Sequence, residues 1–185
     1  ATSGASYESD IFPGQILSFP SFSPVVSDNG RFVAFESDSP VLVPNDGNGS
    51  RDIFVLDRIT KNIELVSKSF TGGQGSASFN PSISADGRYV AFQSNAFNFV
   101  SGDTNGQTDV FVHDRETKQI ERVSVSSLGI QGNGASINPS ISADGRYVTF
   151  QSSASNLVAG DTNSNEDIFV HDRVTKLLER VSVNN

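Results

Sequence analysis

The stretch PSISADGRYVAF, from Pro81 to Phe92, decides the fold because closely similar stretches stand on either side of it. PVVSDNGRFVAF begins 57 residues earlier at Pro24, and PSISADGRYVTF begins 58 residues later at Pro139. A fixed period of this length is typical of architectures that stack one structural unit several times. A second block recurs with the same offsets, as DIFVLDR from Asp52, DVFVHDR from Asp109 and DIFVHDR from Asp167.

The second repeat predicts four short β-strands joined by turns. Strand a, Asn80–Ser84, and strand b, Arg88–Ser94, flank an Ala-Asp-Gly turn whose glycine supplies the positive φ of a tight hairpin. Strand c is predicted over 109–114 and strand d over 120–126. Pro81 lacks a backbone N–H, so strand a is expected at an edge of the sheet, lining a channel.

Four antiparallel strands in every repeat predict an all-β fold, a β-propeller with three tandem four-stranded blades. A solenoid is the alternative, but its repeats are usually shorter, and a β-sandwich does not account for the strict period. The predicted divisions are an N-terminal segment over 1–19, which could be an exchanged strand, and blades over 20–76, 77–134 and 135–185.

The repeat resembles that of TolB-type propellers, which are relatives of the WD-type repeat. The resemblance rests on Pro-x-x-Ser-x-(Asp/Asn)-Gly-Arg-(Phe/Tyr)-Val-(Ala/Thr)-Phe, followed by Asp-(Ile/Val)-Phe-Val-x-Asp, and it covers about residues 20–185. It implies a propeller fold and a secreted, extracellular or periplasmic location. It implies no particular activity, because such blades serve many functions.

The composition excludes several classes of function. The formal net charge of −8 argues against nucleic-acid binding, and no apolar run predicts insertion into a membrane. The chain has no cysteine, which excludes disulfides and thiol catalysis. Neither a Gly-x-Ser-x-Gly elbow nor a nucleophile–base pair is present, so the sequence predicts a protein that is not an enzyme.

Each repeat carries an acidic loop between strands b and c, with the frame Asp-x-Asn-x-(Ser/Gln/Asn)-x-Asp. Calcium requires several oxygen ligands, and alternate positions of a curled loop can converge on one ion. Asp and Asn also form Asx-turns, which build such loops without metal, so both interpretations stay open. The candidate calcium ligands are Asp46, Asn48, Ser50, Asp52, Asp103, Asn105, Gln107, Asp109, Asp161, Asn163, Asn165 and Asp167.

Other recurring polar residues are expected to be structural. His113 and His171 occupy the strand c position at which the first repeat has Leu56, which predicts packing rather than catalysis or zinc binding. Recurring arginines and aspartates predict one ion pair in each blade, and the aspartate that ends strand c is expected to cap the following turn. These residues are Arg31, Arg88, Arg146, Arg58, Arg115 and Arg173 with Asp57, Asp114 and Asp172.

The phenylalanines divide into two groups. Those that recur in register are expected to form the core between blades: Phe35, Phe54, Phe92, Phe111, Phe150 and Phe169. Those outside the repeat are candidates for a surface contact: Phe70, Phe97 and Phe99, with Phe12, Phe19 and Phe22 nearer the N-terminus.

Three blades leave two open faces, because closed propellers typically have about four to eight. Two chains could pair into a six-bladed ring, or a head-to-tail contact that does not close could build a filament. Residues Ser3–Ser9 stand where strand d of a preceding blade would lie, and they could exchange, pair with another subunit or fray. A homo-oligomer is therefore expected.

The sequence as a whole favours a non-catalytic, secreted structural or interaction module that self-assembles and binds calcium in its b–c loops. Two other functions stay open, the propeller part of a larger hydrolase and a carbohydrate-binding propeller.

Overall fold

The computed structural model describes residues 19–44, 46–69, 75–163 and 165–183, which form three four-stranded antiparallel sheets. The first sheet contains β1 (Ser21–Val26), β2 (Phe32–Ser37), β3 (Asp52–Asp57) and β4 (Ile63–Leu65). The second contains β5 (Ser78–Ile83), β6 (Tyr89–Ser94), β7 (Asp109–Asp114) and β8 (Gln119–Arg122). The third contains β9 (Ser136–Ile141), β10 (Tyr147–Ser152), β11 (Asp167–Asp172) and β12 (Leu178–Arg180).

Each sheet pairs its strands in chain order, which is the arrangement of a propeller blade. Within the described ranges no helix has the length and apolar character needed to cross a bilayer. Phe12, Phe70 and the possible exchanged strand at Ser3–Ser9 lie outside these ranges.

The proline of each repeat lies in an edge strand, as predicted. In β5 the pairing with β6 shifts register between Phe79 and Ser82, and Asn80 has a φ of 53° directly before Pro81. The missing N–H of proline therefore falls in a bulge and interrupts no regular ladder.

Strand d is shorter than predicted. The sequence alternation extends to Ser126, but β8 ends at Arg122. The reason is a side chain: the N–H of Val110 donates to the hydroxyl of Ser124 at 3.1 Å, so the serine side chain takes the place of a backbone acceptor.

The core lies between neighbouring sheets and contains four of the six recurring phenylalanines, Phe92, Phe111, Phe150 and Phe169. Phe35 and Phe54 stack on each other in the first sheet and are not part of the core between described sheets. Phe92 and Phe111 stack with ring centroids 5.9 Å apart, and Phe99 meets both rings edge-on at 5.6 and 5.2 Å.

The prediction that Phe99 forms a surface contact is therefore wrong, since its side chain is buried. Its counterpart in the third repeat is the buried Leu157, so the position recurs as an apolar residue. Phe97, by contrast, is exposed.

Among the described residues, no further sheet packs on the outer faces of the first and third sheets. At the inner interfaces β5 contacts strands of the first sheet, and β9 contacts strands of the second. Ile141 on β9 is 8% exposed, whereas Val26, at the equivalent position of β1, is 56% exposed.

In the third sheet Ile168 and Val170 are half-buried, whereas their counterparts Val110 and Val112 are buried at the inner interface. Some apolar residues that seal an inner interface are therefore more exposed at the ends of the array, although Phe54 stays buried.

Candidate functional site

The b–c loop of the second blade is organised around the buried carboxylate of Asp109. Its Oδ1 accepts from the hydroxyl of Ser124 at 2.5 Å, and its Oδ2 accepts from Nδ2 of Asn105 at 3.0 Å. Asp109 begins β7, and Ser124 lies just beyond the end of β8. The carboxylate therefore ties the acidic loop to the outer strand of the same blade.

Asn105 uses both ends of its amide within the protein. Its Oδ1 accepts from the backbone N–H of Gln107 at 3.0 Å, which makes an Asx-turn, and its Nδ2 also donates to the carbonyl of Gly132 at 3.0 Å. Gly132 lies between β8 and β9, so this asparagine ties the loop to the segment that leads into the third blade.

The same two hydrogen bonds to the loop aspartate, from a serine and an asparagine, recur in the other blades. In the first, Asp52 accepts from Ser67 at 2.6 Å and from Asn48 at 2.8 Å. In the third, Asp167 accepts from Ser182 at 2.5 Å and from Asn163 at 3.0 Å. The Asx-turn N–H comes from Ser50 in the first blade and from Asn165 in the third.

An arginine joins the two loop carboxylates in the second and third blades. Nη1 of Arg122 lies 2.9 Å from Asp103 and 3.2 Å from Asp109, and both carboxylates are buried. Arg180 makes the same contacts with Asp161, at 2.8 Å, and with Asp167, at 3.2 Å. A cation of the protein itself therefore bridges each of these acidic pairs.

The first blade differs, because Leu65 stands at the register position of Arg122. Its paired acids, Asp46 and Asp52, are both buried. Burial raises the pKa of Asp52 to about 6, and the neighbouring charge of Asp46 acts in the same direction.

The hydrogen-bond donors around the loop carboxylates bear on whether these loops bind calcium. In all three blades the asparagine points a donor, not its oxygen, toward the carboxylate. In the second and third blades an arginine also lies between the acids. Those contacts favour the Asx-turn interpretation there. Among the described residues no cluster of three or more His, Cys, Asp or Glu side chains is placed to hold a metal. Calcium binding stays a prediction.

The aspartate that ends strand c makes both contacts expected of it. Asp114 accepts from the Nε of Arg88 at 3.0 Å and from the Nη2 at 2.7 Å, and it caps the next turn through the N–H of Glu116 at 2.9 Å. The hydrogen bonds from Arg88 hold the pKa of this carboxyl far below its usual range. The equivalent pairs are Arg31 with Asp57 and Arg146 with Asp172.

Both histidines are buried where neighbouring blades meet, in agreement with a packing role. His113 lies with its Nε2 3.9 Å from the carboxylate of Glu64, which belongs to the first blade. Within the described part of the chain, neither ring nitrogen of His113 has a hydrogen-bond partner. Burial lowers the pKa of His113 to about 4.

His113 is expected to make the fold less stable as the pH falls. The unfolded chain binds this proton near pH 6.5 and the folded chain only near pH 4, so stability is lost as the pH falls between these values. The loss from this group is roughly 1–3 kcal/mol. His113→Leu, which copies Leu56 of the first repeat, should remove that part of the pH dependence in urea unfolding measured at pH 7 and pH 4.5. Equal pH slopes in the two proteins would contradict the prediction.

The prediction that Arg115 and Arg173 form their ion pairs within a blade is wrong, because both pair with a glutamate of the preceding blade. Sequence reasoning missed these glutamates and the lysines that join them. Glu64 accepts from Nε of Arg115 at 3.0 Å and from Nζ of Lys118 at 2.6 Å, across the first interface. The signal was available, because these residues recur with the same offsets as the two quoted blocks. The partners across the second interface are Glu121, Arg173 and Lys176.

Comparison with solved structures finds the same architecture in longer proteins. A TolB from Agrobacterium tumefaciens is 17% identical with a TM-score of 0.57, and the match covers 86% of this chain and 45% of that one. This chain has a TolB-like β-propeller fold.

Peptidases that contain propellers are also similar to this TolB-like chain. The propeller domain of the Trilobed protease from Pyrococcus furiosus, described as having an open velcro topology, is 13% identical with a TM-score of 0.55, covering 88% of this chain and 42% of that one. The tricorn protease is 18% identical with a TM-score of 0.51, covering 87% and 14%. This chain therefore spans less than half the length of these proteins. Neither a protein-family profile nor a curated protein sequence matches it.

Proposed function

We propose that this chain is a non-catalytic propeller module that works by binding further blades, and that it self-assembles into a homo-oligomer. The exposure of Val26 at the outer face of the first blade, where the equivalent Ile141 is buried, carries the proposal. Apolar side chains that are buried at the inner interfaces and more exposed at the ends, as Val26 is, favour association. The two histidines are buried and the loop acids are used in hydrogen bonds within the chain, which favours a structural, non-catalytic role.

Sedimentation velocity of the purified chain over a wide concentration range tests the proposal. We expect a reversible species of twice the chain mass, or a longer open series if the contact forms a filament. A single monomeric species at the highest concentrations would contradict self-assembly, whatever the fold.

Calcium in the first loop is a second proposal, and the absence of an arginine at Leu65 favours it. If Asp46 and Asp52 bind the ion, calcium should raise the melting temperature by mass action and a chelator should lower it. Asp46→Asn should abolish the shift, whereas Asp103→Asn, in the loop bridged by Arg122, should leave it unchanged. If calcium does not change the melting temperature, the calcium proposal is wrong and the Asp-x-Asn frame serves only to form the Asx-turn.

The competing proposal is that the repeats form the propeller part of a larger hydrolase. It is favoured by the peptidases among the similar structures, of which this chain spans a small part. A longer reading frame that joins these repeats to a catalytic domain would decide for it. The secreted or periplasmic location stays a proposal, which cell fractionation would test.

A further inference from the structure

We propose that copies of this chain join head to tail in one defined register, in which Glu179 of one copy binds Arg58 and Lys61 of the next. This inference rests on the proposed self-assembly and names the contacts that carry it. Both interfaces between the described blades supply the template, because each repeats the same set of contacts.

The first repeated contact is a carboxylate held by two cations of the following blade. Glu64 accepts from Arg115 at 3.0 Å and from Lys118 at 2.6 Å. One repeat later Glu121 accepts from Arg173 at 2.5 Å and from Lys176 at 2.7 Å.

The second repeated contact is an aromatic ring laid on the turn glycine of the following blade. The ring of Phe32 lies between the guanidinium groups of Arg31 and Arg115, at 4.8 and 4.5 Å from its centroid. It approaches Gly87 so closely that a Cβ there would lie 2.2 Å from a ring carbon. The same sandwich recurs with Tyr89 against Gly145, between Arg88 and Arg173.

The two open ends carry the unmatched halves of these contacts. At the third blade Glu179 is exposed, and Tyr147 is 39% exposed, with Arg146 over its ring at 4.8 Å. At the first blade Arg58 and Lys61 are exposed. One end therefore offers a carboxylate and a ring, and the other offers the cations that would receive them.

The receiving end already has the geometry of an inner interface. Nη1 of Arg58 donates to the carbonyl of Gly30 at 2.7 Å, as Nη1 of Arg115 donates to Gly87 at 2.6 Å. Among the described residues, a Cβ at Gly30 would meet only Arg58, at 3.7 Å. These residues leave room for a ring such as that of Tyr147 without rearrangement of the turn.

A third contact lies on the innermost strands. Oε1 of Gln93 accepts from Nδ2 of Asn80 at 3.1 Å and from the backbone N–H of Asn138 at 2.7 Å, across the interface. Gln151 is the counterpart of Gln93 and accepts from Nδ2 of Asn138 at 2.7 Å. The counterpart of Asn138 at the opposite end is Ser23, whose φ of 49° is close to the 53° of Asn138 and presents its N–H in the same way.

These three contacts specify a second copy of the chain placed head to tail. A symmetric contact between two identical ends would bring Glu179 against Glu179, whereas a head-to-tail contact pairs opposite charges. Two copies joined in this way at both ends make six blades, which lies within the usual range for closed propellers. Such a ring leaves no blade face open.

Complementary charge reversal tests the register. We expect Glu179→Lys and the double substitution Arg58→Glu with Lys61→Glu each to raise the dimer dissociation constant about tenfold or more in sedimentation velocity. An equimolar mixture of the two variants should restore the dimer, because each mutated end meets a complementary partner. Glu116→Lys, which makes the same charge change in the second blade, should leave the dimer unchanged.

The outcomes separate this inference from self-assembly itself. A wild-type dimer that neither reversal weakens, or variants that the mixture does not restore, would overturn the register and leave self-assembly standing. A wild-type monomer would overturn both, and would point to an intramolecular occupant of the open faces. Far-UV circular dichroism of each variant at low concentration establishes that its blades are folded.

Discussion

Asp109→Ala is expected to lower the free energy of unfolding by about 3–5 kcal/mol, because it removes one of the two carboxylates that compensate the largely buried guanidinium of Arg122. Asp109 accepts hydrogen bonds from Ser124, Asn105 and Arg122. Within the described part of the chain the Nε of Arg122 has no partner, so this guanidinium depends on the two loop carboxylates. Urea unfolding at neutral pH, followed by circular dichroism, measures the change.

Asp52→Ala in the first blade is the matched control. It removes the same contacts to Ser67 and Asn48, but Leu65 stands where the arginine would be. The raised pKa of Asp52 shows that its buried charge is poorly compensated, so its removal should be clearly less destabilising. Equal losses in the two variants would show that the arginine bridge contributes nothing.

Gly87→Ala is expected to destabilise the chain by about 2–5 kcal/mol, from backbone strain and overpacking together. Gly87 has a φ of +77°, and a Cβ would lie 2.2 Å from the ring of Phe32. The ring is held between two guanidinium groups, so it cannot move aside freely. The substitution should therefore loosen the interface between the first and second blades.

Gly102→Ala separates the two causes. Gly102 has a φ of +76°, but no described residue lies within 4 Å of its Cβ position, so only the backbone strain of about 1–2 kcal/mol applies. Combining Gly87→Ala with Phe32→Ala should be less harmful than the sum of the two single changes. Strict additivity in thermal unfolding would argue against the contact between ring and turn.

The repeat period was enough to predict the architecture. Strand c was placed correctly at Asp109–Asp114 because its alternation is bounded by two aspartates that each make a specific contact. The predicted end of strand d failed at Ser124, where a hydroxyl replaces a backbone acceptor. A pattern of apolar and polar residues does not report that exchange.

The b–c loops show that a local sequence motif does not by itself establish a metal site. The alternating oxygen side chains suggested a metal, but the partners of Asp109 come from elsewhere, with Arg122 in β8 and Ser124 just beyond it. Whether an Asx frame turns its oxygens toward an ion or toward its own backbone depends on such distant residues. The prediction for Phe99 was wrong because it considered only phenylalanines that recur. The counterpart of Phe99 is Leu157, which is equally buried but not aromatic.

Every described sheet is built from four consecutive strands, with none borrowed from a neighbouring repeat. Deleting or duplicating one unit, as from Pro81 up to Pro139, would therefore remove or add a whole blade without changing the strand connections of the others. Blade number can then change in a single recombination step, with the same carboxylate and cations available at the new junction. The number of blades can therefore vary without any change in how each blade folds.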